Sequence, residues 1–217
     1  FLLVLKQPDL GTSLVFLAIL LGMVFVAGID GKLLLKILGV GAACMPAFWF
    51  FLKDYQKSRL TVFLDPNVDP LGAGYHIIQS KIAIGSGQLF GKGLFAGSQS
   101  QLNFLPENHT DFIFAVIGEE LGFVGSIVIL ALYFLLLYRG VKTAQNARDK
   151  FGALLAAGIT SMMAFHVMVN IGMTIGIMPV TGIPLPFMSY GVSALTTNLI
   201  SVGILLNIQS RQQKLMF

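Results

Sequence analysis

The chain has 217 residues, 55% of them hydrophobic and 11% charged, with a mean hydropathy of +0.81 and a formal net charge of +4. Soluble domains carry about 25% charged residues, so a composition with half that, 18 Phe and 24 Gly argues against a soluble domain and for an all-α polytopic membrane protein. The single cysteine, Cys44, rules out a disulfide framework within the chain.

The first residue is Phe1, and residues 1–5 look like the tail of an apolar helix already under way. The chain therefore reads as a fragment that lacks its N-terminal part. Residues 6–9 form a polar turn in which Pro8 stops one helix and presets the next. Residues 10–29 are nearly uncharged and, at about 1.5 Å each, reach roughly 30 Å, enough to span a bilayer. A second span is expected over 33–52, with a kink at Pro46. Residues 53–111 form one large polar loop. Further spans are expected over 112–138, 151–177 and 189–208, about five in all. A segment with three prolines, 178–186, separates the last two.

Loop charge sets the orientation. Asp30, Lys32, Lys36, Arg139, Lys142, Arg148, Asp149, Lys150, Arg211 and Lys214 sum to +6 on one side. On the other, Lys6, Lys53, Lys57, Arg59, Lys81 and Lys92 stand against Asp9, Asp54, Asp65, Asp69, Glu107, Asp111, Glu119 and Glu120, for −2. The positive-inside rule puts the first side in the cytoplasm. The Asp9 turn, the large loop and the three-proline loop then share the outer face. Within the large loop, 75–84 carries Ile77, Ile78 and Ile82, with Ala83 or Ile84, at near-helical spacing, opposite Gln79, Ser80 and Lys81. That pattern suits an amphipathic helix lying on the outer leaflet. Glycines 85, 87, 91, 93 and 97 follow, which permits tight turns and close backbone approach.

The ionisable residues concentrate where the large loop meets hydrocarbon. Asp111 follows Glu107, Asn108, His109 and Thr110 and stands directly before an apolar helix. It can be a first-turn acid that suits the helix dipole, with Thr110 or Asn108 as N-cap. It can equally be a partly desolvated general base, with Glu107 and His109 tuning it or binding phosphate. Glu119 and Glu120 lie about 12 Å further along the same helix; acids at this depth imply function or a buried cationic partner. Asp9 is an N-cap or a second acid near Asp111. His166 and Asn170 are i, i+4 on one helix face and read as a packed, hydrogen-bonded pair. Lys57, Arg59, Lys81 and Lys92 supply outward positive charge that an anionic pyrophosphate would require. The sequence has no Walker A motif, no metal-ligand cysteine or histidine spacing, no Ser-His-Asp order and no basic helix for nucleic acid.

Six motifs carry a resemblance: KQPDLGT (6–12), DPLGAGYHIIQS (69–80), IAIGSG (82–87), LFGKGL (89–94), QLNFLPENHTDFIFAVIGEELG (101–122) and GIPLPFMSYG (182–191). Together they resemble the SEDS family, and within it the RodA branch more than FtsW or the sporulation members. The resemblance implies the C-terminal half of a ten-helix protein in the bacterial cytoplasmic membrane, with the large loop outside. It implies a peptidoglycan glycosyltransferase that polymerises lipid II, carrying undecaprenyl-pyrophosphate-linked glycan, for wall elongation and cell shape. A class B penicillin-binding protein would supply the transpeptidase. By the same resemblance Asp111 is the catalytic residue and Asp9 an important outward acid. From the residues themselves, Glu107, His109, Thr110, Glu119, Glu120, Lys81, Lys92 and Ser189 are the supporting or substrate-binding candidates. The leaving pyrophosphate needs Lys, Arg or a divalent cation such as Mg or Mn. The chain departs from the family's Ser-Tyr-Gly-Gly-Ser at Val192, which bears on how the last helix starts. The competing readings are a flippase for the lipid-linked precursor and a scaffold of the elongation complex.

Overall fold

The computed structural model describes residues 9–33, 54–102 and 104–211, with Val4, Gln7, Leu35, Lys36, Gly39, Val40 and Ala43 besides. The expected kink at Pro46, nearly all of the expected span 33–52, Lys6, Lys53 and the tail 212–217 lie outside the described residues. The described residues contain helices and no strand. In chain order these are α1 (Leu10–Val26), α2 (Asp54–Leu64), a 3₁₀ turn (Pro66–Val68), α3 (Ala73–Ser86), α4 (Ser98–Gln101), α5 (Ile113–Gln145), α6 (Lys150–Thr174) and α7 (Val192–Ser210). Helices α5, α6 and α7 are each long and apolar enough to cross a membrane; α1, at 17 residues, is shorter than the twenty expected of it.

Helix α6 is the centre of the bundle, packed against α1 on one flank and α5 on the other. Small residues make the first contact possible: a Cβ at Gly22 would fall on the side chain of Ser161, so the two backbones approach closely. Near the basic end, Ala156, Ala157, Ile159 and Met163 of α6 pack with Leu205 and Ile208 of α7. Asp149 caps this end of α6 by accepting from the Gly152 amide at 2.9 Å. At the opposite end the three-proline segment descends between helices. Its Leu185 packs among Phe114, Ile129 and Tyr133 of α5 and Val167 and Ile171 of α6. Its Ile183 joins Val15 of α1 and Val169 of α6, and the Tyr133 hydroxyl donates to the Pro186 carbonyl. The segment is a core element.

Helix α3 exists where the sequence placed an amphipathic helix, but its buried stripe differs. Ile77, Ser80 and Ala83 face inward, with Ser80 fully buried and donating to the Thr174 carbonyl at 2.7 Å, while Ile82 is exposed. The stripe follows the partner: α3 packs against α5, and Ala83 sits with Leu105, Phe112 and Ala115. A hydroxyl that finds a helix-end carbonyl is satisfied indoors, which a polar–apolar pattern does not reveal.

Helix α5 is broken at Gly122, whose φ of 67° and ψ of −163° lie in a region that only glycine occupies readily. The break leaves backbone groups without intrahelical partners. The glycine-rich segment after α3 takes them. Lys92 and Gly93 amides donate to the Glu119 and Glu120 carbonyls, both at 3.0 Å, and the Phe123 and Val124 amides donate to the Gln88 and Leu89 carbonyls at 2.9 and 3.1 Å. A Cβ on Gly122 would strike the Gly91 amide nitrogen, and one on Gly91 the Glu120 carbonyl. The large loop is thus joined by its backbone to α5 at the start of that helix's uninterrupted apolar run.

Candidate functional site

Three successive carbonyls of the 109–111 turn are held from outside it. The Tyr190 amide donates to the His109 carbonyl at 2.8 Å. The Ser189 hydroxyl donates to the Thr110 carbonyl at 2.6 Å and itself accepts from the Leu185 amide. The Asn170 side-chain amide donates both to the Asp111 carbonyl at 2.9 Å and to the Ile183 carbonyl at 2.8 Å. Asn170 is fully buried. Its partners are these carbonyls and not His166, so the expected His166–Asn170 pair is replaced by a tie between α6, the three-proline segment and the Asp111 turn. We expect Asn170→Leu, which strips both carbonyls of their donor, to lower stability by about 1–3 kcal/mol, read by thermal unfolding of the detergent-solubilised protein.

With its backbone pinned, the Asp111 side chain points into a cavity of about 270 Å³ lined by Arg59, Val62, His76, Ile77, Glu107, Phe112 and Val180. It is half-buried, and among the described residues no hydrogen bond to its carboxylate is found. Burial pushes its carboxyl above the usual aspartate value of 3.8; the Glu107 carboxylate adds to the rise, while Arg59 and His76 oppose it. Arg59 comes from α2 and is tethered by a 3.3 Å bond from its guanidinium to the Val180 carbonyl. His76 comes from α3 and stacks on Phe112 with ring centroids 5.9 Å apart. Among the described residues its buried Nδ1 has no hydrogen-bond partner. The cavity therefore brings a guanidinium, an imidazole and two carboxylates, those of Glu107 and Asp111, to one space.

Neither Thr110 nor Asn108 caps α5, contrary to one expectation: the helix starts at Ile113 with no side-chain cap among the described residues. The Thr110 hydroxyl instead donates to Glu107 at 3.1 Å, and Asn108 to the Ser100 carbonyl at 2.9 Å. Glu107 itself adopts a positive φ of 52°, a conformation an L side chain takes only when its surroundings fix it. Its carbonyl accepts from the Thr110 and Phe112 amides. His109 is exposed, beside Asn108 and edge-on to Tyr190, and does not line the cavity.

Five other candidates sit elsewhere. Asp9 caps α1, accepting from the Thr12 amide at 2.9 Å. Gly11, two residues on, abuts Thr181, so α1 begins at the loop that also reaches Asp111. Lys81 lies across Gly176 at the end of α6. Glu119 is fully buried and accepts from the Lys92 ammonium at 2.8 Å and from the Gln99 and Ser100 amides at 3.0 and 3.1 Å. Lys92 is thereby engaged inside the fold, the cationic partner anticipated for one of the two glutamates. Glu120 beside it is half-buried and lends its carbonyl to Gly93. His76 was not singled out from the sequence, although it lies in the DPLGAGYHIIQS motif, and Arg59 was only one of four outward cations. Their proximity to Asp111 is a tertiary fact that spacing along the chain does not encode.

Among the described residues, no group of three or more His, Cys, Asp or Glu side chains could hold a metal. Glu107 and Asp111 are two carboxylates on one cavity, a donor set that suits a hydrated divalent cation rather than a cage built from protein alone.

A helical domain with three helices long and apolar enough to cross a membrane, whose loops fold back around a half-buried acid, defines the class. The chain belongs to the cell cycle protein family of FtsW, RodA and SpoVE, whose model matches residues 1–214. It is 52% identical over 215 residues to the peptidoglycan glycosyltransferase MrdB of Escherichia coli, covering 99% of this chain and 58% of that protein. It is 52% identical over 161 residues to the peptidoglycan glycosyltransferase RodA of Treponema pallidum, covering 74% of this chain and 37% of the relative. The chain thus spans less than two thirds of these relatives' length. Among solved structures, a chain of a peptidoglycan synthase complex that coordinates polymerization and crosslinking superposes with a TM-score of 0.80 at 39% identity, over 98% of this chain and 59% of that one. RodA of Thermus thermophilus superposes with a TM-score of 0.60 at 34% identity, over 96% and 52%. Val192, the departure from the family pattern, is 77% exposed at the start of α7, so it disturbs no packing among the described residues.

Proposed function

We propose that this chain forms the C-terminal, catalytic part of a peptidoglycan glycosyltransferase that polymerises lipid II at the outer face of the bacterial cytoplasmic membrane. Five helices would span it, the large loop lying outside by the distribution of Lys and Arg, and a class B penicillin-binding protein would crosslink the strands produced. The observation that carries the reading is Asp111: a partly desolvated carboxylate with a pinned backbone, on the same cavity as Arg59.

The chemistry follows from that arrangement. A sugar hydroxyl of the acceptor attacks the anomeric carbon of the donor. Its proton passes to the Asp111 carboxylate as the new C–O bond forms, and the bond from the anomeric carbon to the lipid pyrophosphate breaks with its electron pair on the leaving oxygen. Pyrophosphate leaves as a stable anion and needs no acid, so one carboxylate suffices for a single inverting displacement. Arg59 supplies positive charge on the same cavity for the departing phosphates. A divalent cation, if bound, would be held by Glu107 and Asp111 and would neutralise the same charge. Ser189, Thr110 and Asn170 act by fixing the turn.

The test is a pH profile of lipid II polymerisation by the full-length protein with its penicillin-binding partner. A base works deprotonated, so the rate is lost as pH falls through the Asp111 pKa, and that limb lies above 3.8. Glu107→Gln removes a group that raises this pKa and moves the limb to lower pH. Arg59→Gln removes one that lowers it and moves the limb up. An unmoved limb in both variants would take Asp111 out of the base role. Absence of glycan strands from the wild type, with precursor crossing the vesicle bilayer, would favour the flippase reading instead.

A further inference from the structure

The segment between α3 and α4 is unusual for a loop outside a membrane. Leu89, Phe90, Leu94 and Phe95 turn outward, with 60, 80, 66 and 81% of their surfaces exposed. Such a patch on a water-facing loop would be an association hazard. Phe95 and Gln88 adopt positive φ of 59° and 49°, so the loop is held in a fixed and locally strained form, not left to collapse. Its single cation, Lys92, is turned inward onto Glu119 at 2.8 Å, which leaves no uncompensated charge between residues 88 and 97.

The loop also has a defined depth. Four backbone bonds fasten residues 88–93 to residues 119–124 of α5, at the beginning of the apolar run of that helix. The exposed side chains of α5 just beyond the junction are Phe123, Val124, Ile127 and Val128, a face that bilayer tails cover in a spanning helix. The backbone bonds of Gln88 and Leu89 to Phe123 and Val124 bring the exposed loop residues next in sequence to the level of this face. An apolar cavity of about 310 Å³, lined by Ile84, Phe114, Phe123, Ile127 and Leu130 among others, opens beside the seam.

We infer that residues 89–95 form a membrane-dipping loop whose Leu89, Phe90, Leu94 and Phe95 side chains lie in the outer leaflet, anchoring the large loop to the lipid surface beside Gly122 of α5. The partner is the acyl and glycerol region of ordinary phospholipid. The backbone bonds to the broken helix satisfy polar groups that would otherwise meet hydrocarbon, and the Lys92–Glu119 pair removes the charge that would oppose insertion. The inference depends on α5 spanning the membrane and not on the reaction proposed above. Its effect is to hold the turn containing Asp111 at a set height above the bilayer, because the same loop leads through α4 to residues 104–112.

The experiment places a polarity-sensitive fluorophore on single cysteines in the full-length protein, with Cys44 and any other native cysteine replaced. Phe90→Cys and Leu94→Cys report on the loop, Phe134→Cys on α5 as a lipid-facing reference, and Gln101→Cys on α4 as a water-facing one. The protein is reconstituted in vesicles of phosphatidylethanolamine and phosphatidylglycerol. Blue-shifted emission at both loop sites, quenched by nitroxide on the upper acyl chain and protected from aqueous iodide, is the expected result. Iodide quenching equal to that at Gln101 would overturn the inference. Quenching by neither agent would also overturn it, by placing a protein surface over the loop. Because no activity is read, failure of the polymerase reading would leave this result unaffected.

Discussion

Replacing Asp111 with alanine in the full-length protein should lower lipid II polymerisation by about 10²–10⁴-fold, the range a positioned general base contributes, with the fold intact. The structure separates the two outcomes cleanly. What holds the turn is the backbone: the carbonyls of His109, Thr110 and Asp111 are bound by Tyr190, Ser189 and Asn170, and these bonds survive removal of the carboxylate. The carboxylate is half-buried near Glu107, so removing it relieves desolvation and repulsion, and thermal unfolding should change little. Asp111→Asn keeps the shape without the basicity and should match alanine in rate. If well-folded Asp111→Ala polymerises at the wild-type rate, the base is another group, and Glu107 on the same cavity wall becomes the first residue to examine. Loss of activity together with loss of folding in both variants would instead mean that the carboxylate holds the turn.

Part of this candidate site is legible in the sequence, and the reason is local. Asp111 stands where a polar run meets an apolar helix, a contrast visible in consecutive residues. Helices α5, α6 and α7 announce themselves by length and hydropathy, and Asp9 as an N-cap follows from the residues beside it. The rest depended on partners far apart in the chain. Nothing near Asn170 says that its amide reaches a carbonyl 59 positions away. Ser80 looked like part of a polar face because its acceptor, the Thr174 carbonyl, is 94 positions away. The break at Gly122 was hidden for a different reason: one glycine in a long apolar run does not disturb hydropathy, and only the Gln88–Gly93 backbone lying against it explains why a continuous helix is not formed there. Arg59 and His76 were likewise unremarkable until α2 and α3 brought them to one cavity.

Glu119→Ala should be the most damaging single change to the fold, at about 3 kcal/mol, and its reasoning is electrostatic. Glu119 is fully buried in a helix that reads as membrane-spanning, where an unpaired carboxylate would be costly. It is tolerated because Lys92 and the amides of Gln99 and Ser100 surround it. Removing a partner from a buried ion pair costs about 3–5 kcal/mol, but the Lys92 side chain is 30% exposed and can turn to water. The larger penalty therefore falls on the two amides, of which Ser100 is in a buried setting, at about 1–3 kcal/mol for each lost acceptor. Glu119→Gln retains an acceptor for one amide and should fall between wild type and alanine. The loss should surface first as protease cleavage within residues 88–102, since those residues are what the carboxylate gathers, and then as a lower midpoint of thermal unfolding. A double-mutant cycle with Lys92→Met should show coupling of about 1–3 kcal/mol. Additive single effects would mean that Glu119 organises the amides alone and that Lys92 is free to meet an anionic substrate, which would return it to the set of phosphate-binding candidates beside Arg59.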